Sequence, residues 1–365
     1  MQVAIVGPPL SGKTTLSNLL AGNSGDQPYG KEMRPGRQDV AIRMAKVPDE
    51  RIDFFSNMFK PRKTTYAQIQ ITDVPGLSAS TNGSKADCSR FLSYLRTVDA
   101  FIYVIRAFGN VPGALPIDYE IDPISEIESL NLNLILADLQ VAQNRIERLE
   151  HSRKRNADEE AELELLQRAK PLLEEGKRLD RLLTPEEKHN LRGYAFLTLK
   201  PIVIVVNLSE DQFLEHSYPG KEKLKAYLAE HDIPLIELSA KIEAEIQELP
   251  GEEQKVFLQE YGITEPAIGQ LSKKVYQVLG LISFFTVGED EVKAWPIQDG
   301  TTAKKAAGKV HSDIERGFIR AEVVSFEDLK NAGSVAAVRS GGVYRLEGKD
   351  YIVKDGDIMN FRFNI

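Results

Sequence analysis

The chain has little of three things that define special classes of protein: cysteine, long apolar runs and an excess of basic charge. Its single cysteine, Cys88, forms no internal disulfide and no metal-binding cysteine cluster. No apolar run is long enough to cross a membrane, and no signal peptide precedes the first apolar segment. Lys and Arg total 46 against 54 Asp and Glu, a net charge of −8, which disfavours a protein that coats nucleic acid. We therefore expect a soluble cytoplasmic protein without a membrane partner, and 365 residues allow two or three domains.

The first strong motif is Gly7-Pro8-Pro9-Leu10-Ser11-Gly12-Lys13-Thr14, directly behind the apolar run Val3 to Val6. It has the pattern G-x-x-x-x-G-K-[ST] between a predicted strand and a predicted helix. This pattern is typical of a loop that binds nucleotide phosphates through its backbone N–H groups. The ammonium of Lys13 is expected at the β and γ phosphates, and the hydroxyl of Thr14 on Mg²⁺. The predicted nucleotide-binding residues of this loop are Pro9, Leu10, Ser11, Gly12, Lys13, Thr14 and Thr15.

Short runs rich in Val and Ile alternate with helical patterns along much of the chain. Such runs predict a mostly parallel sheet covered by helices on both faces, the α/β class. They are Val3 to Val6, Ile69 to Thr72, Ala100 to Ile105, Ile202 to Val206 and Leu235 to Leu238. Val40 to Val47 and Tyr66 to Thr72 are expected to pair as a hairpin at one edge. In sheets of this kind ligands bind at the carboxyl ends of strands, where the motifs below all fall.

A helical and highly charged region from Pro123 to Leu199 interrupts this alternation. Apolar residues recur at three-to-four-residue spacing over two stretches, which predicts two antiparallel helices joined by a polar tip near Asn156. A third helix is expected to begin at Thr184, with Glu187 completing a capping box. A helical hairpin of this kind is either structural or a partner-binding arm, and the pattern favours neither.

The region from Ser283 onward alternates short strand patterns with turns, which predicts a small α+β domain on a mixed sheet. Its charge is balanced, with 12 Lys and Arg against 13 Asp and Glu from Leu281 onward, so charge alone does not argue for RNA binding. The alternative is one local basic face built from Lys304, Lys305, Lys309, Arg316 and Arg320. The predicted domains are residues 1–122 with 200–282 for the nucleotide, 123–199 for the helical insertion and 283–365 for the C-terminal domain.

Asp73-Val74-Pro75-Gly76 closes the second apolar run and has the D-x-x-G pattern of GTPase-like proteins. The Asp73 carboxylate is expected near Mg²⁺, and the backbone N–H of Gly76 near the γ-phosphate. Lys13 and Gly76 are therefore the predicted catalytic groups, and Thr14 and Asp73 the predicted metal ligands. Leu77 replaces the water-orienting Gln that follows this motif in many GTPases, which predicts slow hydrolysis.

Asn207-Leu208-Ser209-Glu210 follows the fourth apolar run, where GTPases carry N-K-x-D. An Asp at the last position accepts hydrogen bonds from guanine, and the longer Glu210 shifts the carboxylate away from that geometry. Ser239-Ala240-Lys241 follows the last run, at the place of the loop that packs under the base. The predicted base-site residues, expected to favour adenine over guanine, are Asn207, Leu208, Glu210, Ser239, Ala240 and Lys241.

Taken in this order, the motifs resemble those of the Obg-like ATPase family, called YchF in bacteria, and the resemblance covers essentially the whole chain. It extends to Val47-Pro48-Asp49-Glu50-Arg51, to Ser239-Ala240-Lys241-Ile242-Glu243 and, near the C-terminus, to Gly317-Phe318-Ile319-Arg320-Ala321-Glu322 and Phe361-Arg362-Phe363. It implies a P-loop GTPase-like domain with a coiled-coil insertion and a C-terminal TGS domain of β-grasp type. It also implies ATP preferred over GTP, slow Mg²⁺-dependent hydrolysis and association with the ribosome or a ribosomal subunit, with RNA contacts through the TGS domain or the helical arm.

Three departures from the family pattern bear on turnover. Leu10 stands where the family usually has an Asn that helps to hold a monovalent cation. Arg34 to Asp39 replace the usual T-I-E-P-N segment, and Ser78 to Ser84 replace a Gly-rich stretch. We expect nucleotide binding to survive, and the departures to affect hydrolysis and the potassium response. The leading interpretation is a slow ATPase switch on the ribosome, and the alternatives are a nucleotide-gated ribosome- or RNA-binding protein without useful turnover, and a GTPase.

Overall fold

The computed structural model describes residues 1–22, 41–74, 85–109 and 122–364. The predictions for Gly76, Leu77, Arg34 to Asp39 and Ser78 to Ser84 fall outside these ranges. The chain divides into two compact units, Met1–Arg43 with Gln70–Gln270 and Met44–Ile69 with Leu271–Ile365. The segment 44–69, which the sequence analysis assigned to the nucleotide-binding domain, is therefore part of the second unit.

Strands and helices alternate through much of the described chain. The strands are β1 (Gln2–Val6), β2 (Ala41–Lys46), β3 (Lys63–Thr65), β4 (Gln68–Asp73), β5 (Ala100–Arg106), β6 (Ile202–Asn207), β7 (Leu235–Leu238), β8 (Leu281–Val287), β9 (Glu291–Gln298), β10 (Phe318–Ser325), β11 (Arg345–Glu347) and β12 (Asp357–Phe363). The helices are α1 (Lys13–Ala21), α2 (Glu50–Phe59), α3 (Lys85–Leu95), α4 (Pro123–His151), α5 (Ala157–Glu174), α6 (Pro185–Leu191), α7 (Glu210–Leu214), α8 (Lys221–Glu230), α9 (Ala240–Glu248), α10 (Gly251–Glu260), α11 (Ala267–Val278), α12 (Ala303–Val310), α13 (Ser312–Arg316), α14 (Phe326–Ala332) and α15 (Val335–Ser340).

One six-stranded sheet has the order β2-β4-β1-β5-β6-β7. β1 runs parallel to β4 and β5, β5 runs parallel to β6, and β6 runs parallel to β7. Every residue of β5 and β6 is buried, which explains their unbroken apolar runs, since a central parallel strand is covered on both faces. The predicted α/β class is confirmed. β2 and β4 are neighbours as expected, but α2 and β3 lie between them in the chain, so no simple hairpin joins them.

The helical region folds as a hairpin of α4 and α5 followed by α6. α4 begins at an Asp122 cap with Pro123 in its first turn, and 29 residues at about 1.5 Å each make it roughly 44 Å long. Its first half packs on the sheet through Ile127 and Leu134, and its second half packs on α5. Apolar side chains fill the space between the helices: Ile135, Ala142, Ile146, Leu149, Leu165, Leu166, Ala169 and Leu173. The capping box predicted at Thr184 and Glu187 is confirmed at the start of α6.

The second unit is built on a sheet of order β11-β10-β12-β8-β9-β3. Its antiparallel pairs are β8 with β9, β10 with β12 and β10 with β11, while β12 runs parallel to β8 and β3 parallel to β9. Segment 44–69 joins this unit because β3 extends the sheet and Phe55 of α2 packs against Phe285 and Phe326. Tyr351 to Val353, which read as a strand pattern, contains only the isolated bridge between Ile352 and Thr302.

The length and hydropathy of the helices bear on membrane insertion. Among the residues that the structure describes, none of the helices combines the length and the apolar character needed to span a bilayer.

Candidate nucleotide site

The candidate phosphate loop connects β1 to α1, as the sequence predicts. β1 ends at Val6 and α1 begins at Lys13, so the free backbone N–H groups of the helix start face the loop. Two glycines allow this path. A Cβ on Gly7 would lie 2.1 Å from the carbonyl oxygen of Val104, and Gly12 has φ 96° with its Cβ position 2.4 Å from Nδ2 of Asn207. A side chain at Gly7 would therefore clash with the backbone of β5, and one at Gly12 would clash with the side chain of Asn207 at the end of β6.

Leu10 lies in the same loop with φ 62°, in the left-handed region, and is 56% exposed. An L-residue with a full side chain pays roughly 1–2 kcal/mol for this conformation, whereas Gly adopts it freely and Asn tolerates it. The backbone shape of the loop therefore suits the Asn that the family resemblance leads one to expect here better than it suits Leu. Pro9 beside it is also exposed, while Ser11 is buried.

The Lys13 side chain folds back along the loop. Its Nζ donates to the carbonyl oxygen of Pro8 at 2.6 Å, and only 9% of the residue is exposed. Burial lowers the pKa of Lys13, and the nearby charge of Asp73 acts in the opposite direction. The ammonium is thus held at the loop by a carbonyl contact that a more strongly charged acceptor can replace.

The predicted metal ligands come together although 59 positions separate them in the chain. The Thr14 hydroxyl at the start of α1 donates to Oδ2 of Asp73 at the carboxyl end of β4, at 2.7 Å. A hydroxyl and a carboxylate are hard oxygen donors, the kind that Mg²⁺ prefers, so this pair fits the expected ion. Thr15 is exposed next to it. Within the described residues no group of three or more His, Cys, Asp or Glu is arranged to hold a metal.

Asn207 links three of the predicted segments. Its Nδ2 donates to the carbonyl oxygen of Ser11 at 3.0 Å, and its Oδ1 accepts from the backbone N–H of Ala240 at 3.0 Å. The residue is 6% exposed, and its side-chain amide therefore fixes the phosphate loop and the start of α9 against the end of β6. Ser239 is buried, and its Oγ has no hydrogen-bond partner among the described residues.

Glu210 and Leu208 differ sharply in their surroundings. Glu210 begins α7, and its carboxylate forms an ion pair with the ammonium of Lys241, which raises the pKa of that lysine. Both side chains of this pair are well exposed at the site. Leu208 is instead 5% exposed and packs with the apolar core beneath the sheet. The structure therefore brings Glu210 and Lys241 together and places the Leu208 side chain in the core.

The sequence analysis assigned no role to two buried charged residues next to the site. Arg106 ends β5 at the register position of Asn207, is 5% exposed, and its Nε and Nη1 lack a partner in the described part of the chain. A charged residue closing an otherwise apolar run is the signal that would have marked it. Glu243 in α9 accepts from the backbone N–H of Ala267 at 2.7 Å, at the start of α11, and burial raises its pKa. Glu243 is the last residue of the motif Ser239 to Glu243 that the sequence analysis gives among the family blocks.

A strand, a glycine loop with Lys13, a helix start and an Asp–Thr oxygen pair, all at the carboxyl edge of a parallel sheet, define a P-loop nucleotide-binding protein of the GTPase-like class. Comparisons with known proteins narrow this class. The family model described as "YchF-GTPase_C: Protein of unknown function (DUF933)" matches residues 281–364. The Ribosome-binding ATPase YchF of Bacillus subtilis (strain 168) is 38% identical over 373 residues, which cover 100% of both chains.

Two further relatives agree with this match. Obg-like ATPase 1 of Oryza sativa subsp. japonica is 36% identical over 371 residues, which cover 100% of this chain and 92% of that one. The structure of the Schizosaccharomyces pombe YchF GTPase has a TM-score of 0.86 at 28% identity and covers 99% of this chain and 97% of that chain. The chain therefore belongs to the YchF/Obg-like ATPase family. The family membership predicted from the sequence motifs is confirmed.

Proposed function

We propose that the chain is a Mg²⁺-dependent ATPase that acts as a nucleotide-state switch on the ribosome. The observation that carries this proposal is the pair of Thr14 and Asp73 oxygens at 2.7 Å, beside the phosphate loop and its lysine. The ribosome as partner is supported by the names of relatives that match the chain over their whole length. We also propose a cytoplasmic location, which a ribosomal partner supports.

The proposed roles follow from the positions of the side chains. Thr14 and Asp73 would hold Mg²⁺, which when bound neutralises charge on the β and γ phosphates. Lys13 would exchange its contact with the Pro8 carbonyl for phosphate oxygens, and the start of α1 would add backbone N–H donors. We assign the backbone N–H of Gly76 to the γ-phosphate on sequence position alone.

Slow turnover is part of the proposal. The sequence places Leu77, which has no group to orient water, after the D-x-x-G motif, and the five histidines lie far from that motif in the chain. Catalysis by positioning and charge neutralisation alone fits a timer better than a metabolic hydrolase. A single-turnover measurement of ATP hydrolysis, with and without purified ribosomes, tests it. We expect slow product formation that ribosomes accelerate. If no product forms with or without ribosomes, the ATPase proposal is wrong and the alternative of a nucleotide-gated binding protein without turnover is supported.

We also propose that ATP is preferred over GTP. The proposal rests on Glu210, which stands in place of the guanine-binding Asp of N-K-x-D and whose longer side chain forms an ion pair with Lys241. Glu210→Asp should therefore shift the ratio of GTP to ATP affinity towards GTP in calorimetric titrations, and Glu215→Asp, at the end of α7, is the matched control. A wild-type protein that binds GTP more tightly than ATP would overturn the preference and support the GTPase alternative.

A further inference from the structure

A buried acid lies halfway along α4, where this helix passes from one apolar core to another. Leu134 belongs to the core that packs on the sheet, while Ile135 and Ala142 belong to the core between α4 and α5. Asp138 lies between them in the helix and is 0% exposed. A carboxylate without partners would be costly in such surroundings, so the groups that contact Asp138 define a specific junction.

Asp138 accepts four hydrogen bonds from two different parts of the chain. Three come from segment 195–200, which follows α6: the backbone N–H of Leu197 at 3.0 Å, the backbone N–H of Thr198 at 2.7 Å and the Thr198 hydroxyl at 2.8 Å. The fourth comes from Nη1 of Arg96, the residue after the end of α3, at 3.1 Å. The carboxylate therefore connects α4 both to α3 and to segment 195–200.

The guanidinium of Arg96 makes further contacts at this junction. Nη1 also donates to the carbonyl oxygen of Ala195 at 3.1 Å, and Nη2 donates to that of Ala137 at 3.2 Å. The ammonium of Lys200 in turn donates to the carbonyl oxygen of Arg96 at 2.7 Å. Directional polar contacts thus hold together the end of α3, the middle of α4 and segment 195–200.

The position of α3 in the chain connects this junction to the nucleotide site. In the described chain α3 is the first helix after β4, at whose carboxyl end Asp73 lies, so a change at the motif that begins with Asp73 reaches α3 before any other helix. Phe91 and Leu92 of α3 pack on the same core as Leu134 of α4, but apolar surfaces can slide over each other. The hydrogen-bonded guanidinium of Arg96 instead fixes the position of one helix relative to the other.

The hairpin of α4 and α5 extends beyond the junction as a lever. From Asp138 to the end of α4 at His151 the helix is about 20 Å long, so a tilt of about 10° at the junction moves its far end by roughly 3 Å. We propose that the contact between Arg96 and Asp138 transmits the nucleotide state from α3 to the helical hairpin and so sets the direction of the hairpin. The inference rests on the nucleotide-state switch proposed above.

The distance between two spin labels measures this movement in the full-length protein. Cys88, the single cysteine, is replaced by Ser so that labelling is specific. The labels are attached through Lys154→Cys at the far end of the hairpin and Glu230→Cys at the end of α8, which packs on the sheet; both positions are exposed. Pulsed electron-electron double resonance gives the distance with Mg²⁺ and ADP and with Mg²⁺ and a non-hydrolysable ATP analogue. Calorimetry with ATP and far-UV circular dichroism confirm that each protein is folded and binds nucleotide.

Two variants in this labelled background separate transmission from a purely structural role. Arg96→Met removes the contact from α3, and the fold should survive because Asp138 keeps its three other donors. Thr198→Val is the matched control, since it removes one hydrogen bond to the same carboxylate from segment 195–200 and keeps the shape of the side chain. Should Arg96→Met fail to fold, Arg96→Gln, which also lacks the charged fork, takes its place with the same expectation.

In the labelled background the distance should differ by at least about 3 Å between the two nucleotide states, as the length of the lever requires. Arg96→Met should abolish this difference while ATP binding remains, and Thr198→Val should retain it. Equal distances in both states of the background protein, or a difference that survives Arg96→Met, would overturn the inference. A difference that both variants lose would also overturn it, because the junction would then be needed only for stability.

A parallel measurement separates failure of this inference from failure of the switch. Ribosome affinity of the labelled background protein is measured with the ATP analogue and with ADP. If ribosomes distinguish the two states while the hairpin stays in place or moves without Arg96, transmission through Arg96 and Asp138 is wrong and the switch stands. If ribosomes bind both states equally, the switch is wrong and the inference fails with it.

Discussion

Lys13 illustrates how a single side chain is prepared for its ligand. Its ammonium is largely withdrawn from water and donates to the neutral carbonyl of Pro8, while the charge of Asp73 lies nearby. Hydrogen bonds to charged groups are worth more than those to neutral ones, so phosphate oxygens compete well for this contact. Because the lysine side chain already lies at the loop in the free protein, nucleotide binding does not have to order it.

We predict that Lys13→Ala weakens ATP binding by at least about tenfold. The reason is the loss of a charge-assisted contact worth roughly 1.5–3 kcal/mol. Calorimetric titration with ATP measures the effect, and Lys188→Ala in the helical region is the control for loss of a lysine. Thermal unfolding should show that both variants remain folded. Unchanged ATP affinity in the Lys13 variant would contradict the assignment of this loop as the phosphate-binding loop.

Leu10 allows a prediction about stability rather than binding. Because it has φ 62° and is largely exposed, its replacement removes backbone strain and little buried surface. Leu10→Gly or Leu10→Asn should raise the free energy of unfolding by up to about 1 kcal/mol, although Gly gives part of this back through the entropy of the unfolded chain. Leu10→Val, β-branched and poorly suited to this region, should lower it. Urea unfolding monitored by circular dichroism gives all three values, and a Val variant as stable as the Asn variant would contradict the strain argument.

At the scale of elements, the sequence predicts local structure well and distant pairing poorly. The phosphate loop was predictable because strand, loop and helix start lie within Gln2 to Ala21 and each leaves its own pattern. The place of segment 44–69 was not, because it depends on β3 pairing with β9 and on Thr65 donating to Glu291, 226 positions away. No local periodicity records such a contact.

Arg51 connects that segment to the rest of the second unit. Its guanidinium forms ion pairs with Asp49 at 2.8 Å and Asp355 at 2.7 Å and lies 5.0 Å from the ring centre of Phe285. Burial alone would lower the pKa of Arg51, but hydrogen bonds to the two carboxylates outweigh it and raise the pKa. Asp355 in turn accepts from the backbone N–H of Ser283 at 2.8 Å, at β8. The cluster therefore joins α2 to β8 and to the turn that contains Asp355.

We predict that Arg51→Met lowers the free energy of unfolding by about 1–3 kcal/mol, less than for a fully buried pair because Asp355 is half exposed. Arg62→Met is the matched control, since Arg62 pairs with Asp290 in the same unit but both side chains are 87% exposed. Its effect should stay below about 0.5 kcal/mol. Guanidinium-free urea unfolding suits the comparison, and a double-mutant cycle with Asp355→Asn isolates the pair. Equal effects of the two arginine variants would show that the cluster contributes no more than a surface ion pair.

At the scale of the whole molecule, the candidate site was predictable in outline because parallel strands bring their carboxyl ends to one edge. Asp73, Asn207 and the Ser239–Lys241 loop each follow an apolar run, and the sheet order gathers them around the phosphate loop. What sequence position cannot supply is side-chain direction. Leu208 occupies a base-site position in the motif yet packs in the core, and Arg106 was missed although it closes the central strand.

The final prediction concerns the coupling between nucleotide and ribosome. A switch requires that the ribosome bind the ATP and ADP states with different affinity, and thermodynamic linkage requires that ribosomes then change the ratio of ATP to ADP affinity by the same factor. We expect this factor to be at least about tenfold, or roughly 1.4 kcal/mol. Equilibrium binding to purified ribosomes with a non-hydrolysable ATP analogue and with ADP measures this factor directly, and competition between the two nucleotides on saturating ribosomes measures it independently.

Lys13→Ala, which weakens the contact with the γ-phosphate, should bring the two ribosome affinities together, whereas Lys188→Ala should leave the factor unchanged. Equal ribosome affinity of the two nucleotide states in the wild-type protein would rule out a nucleotide-state switch, and hydrolysis would then need another purpose.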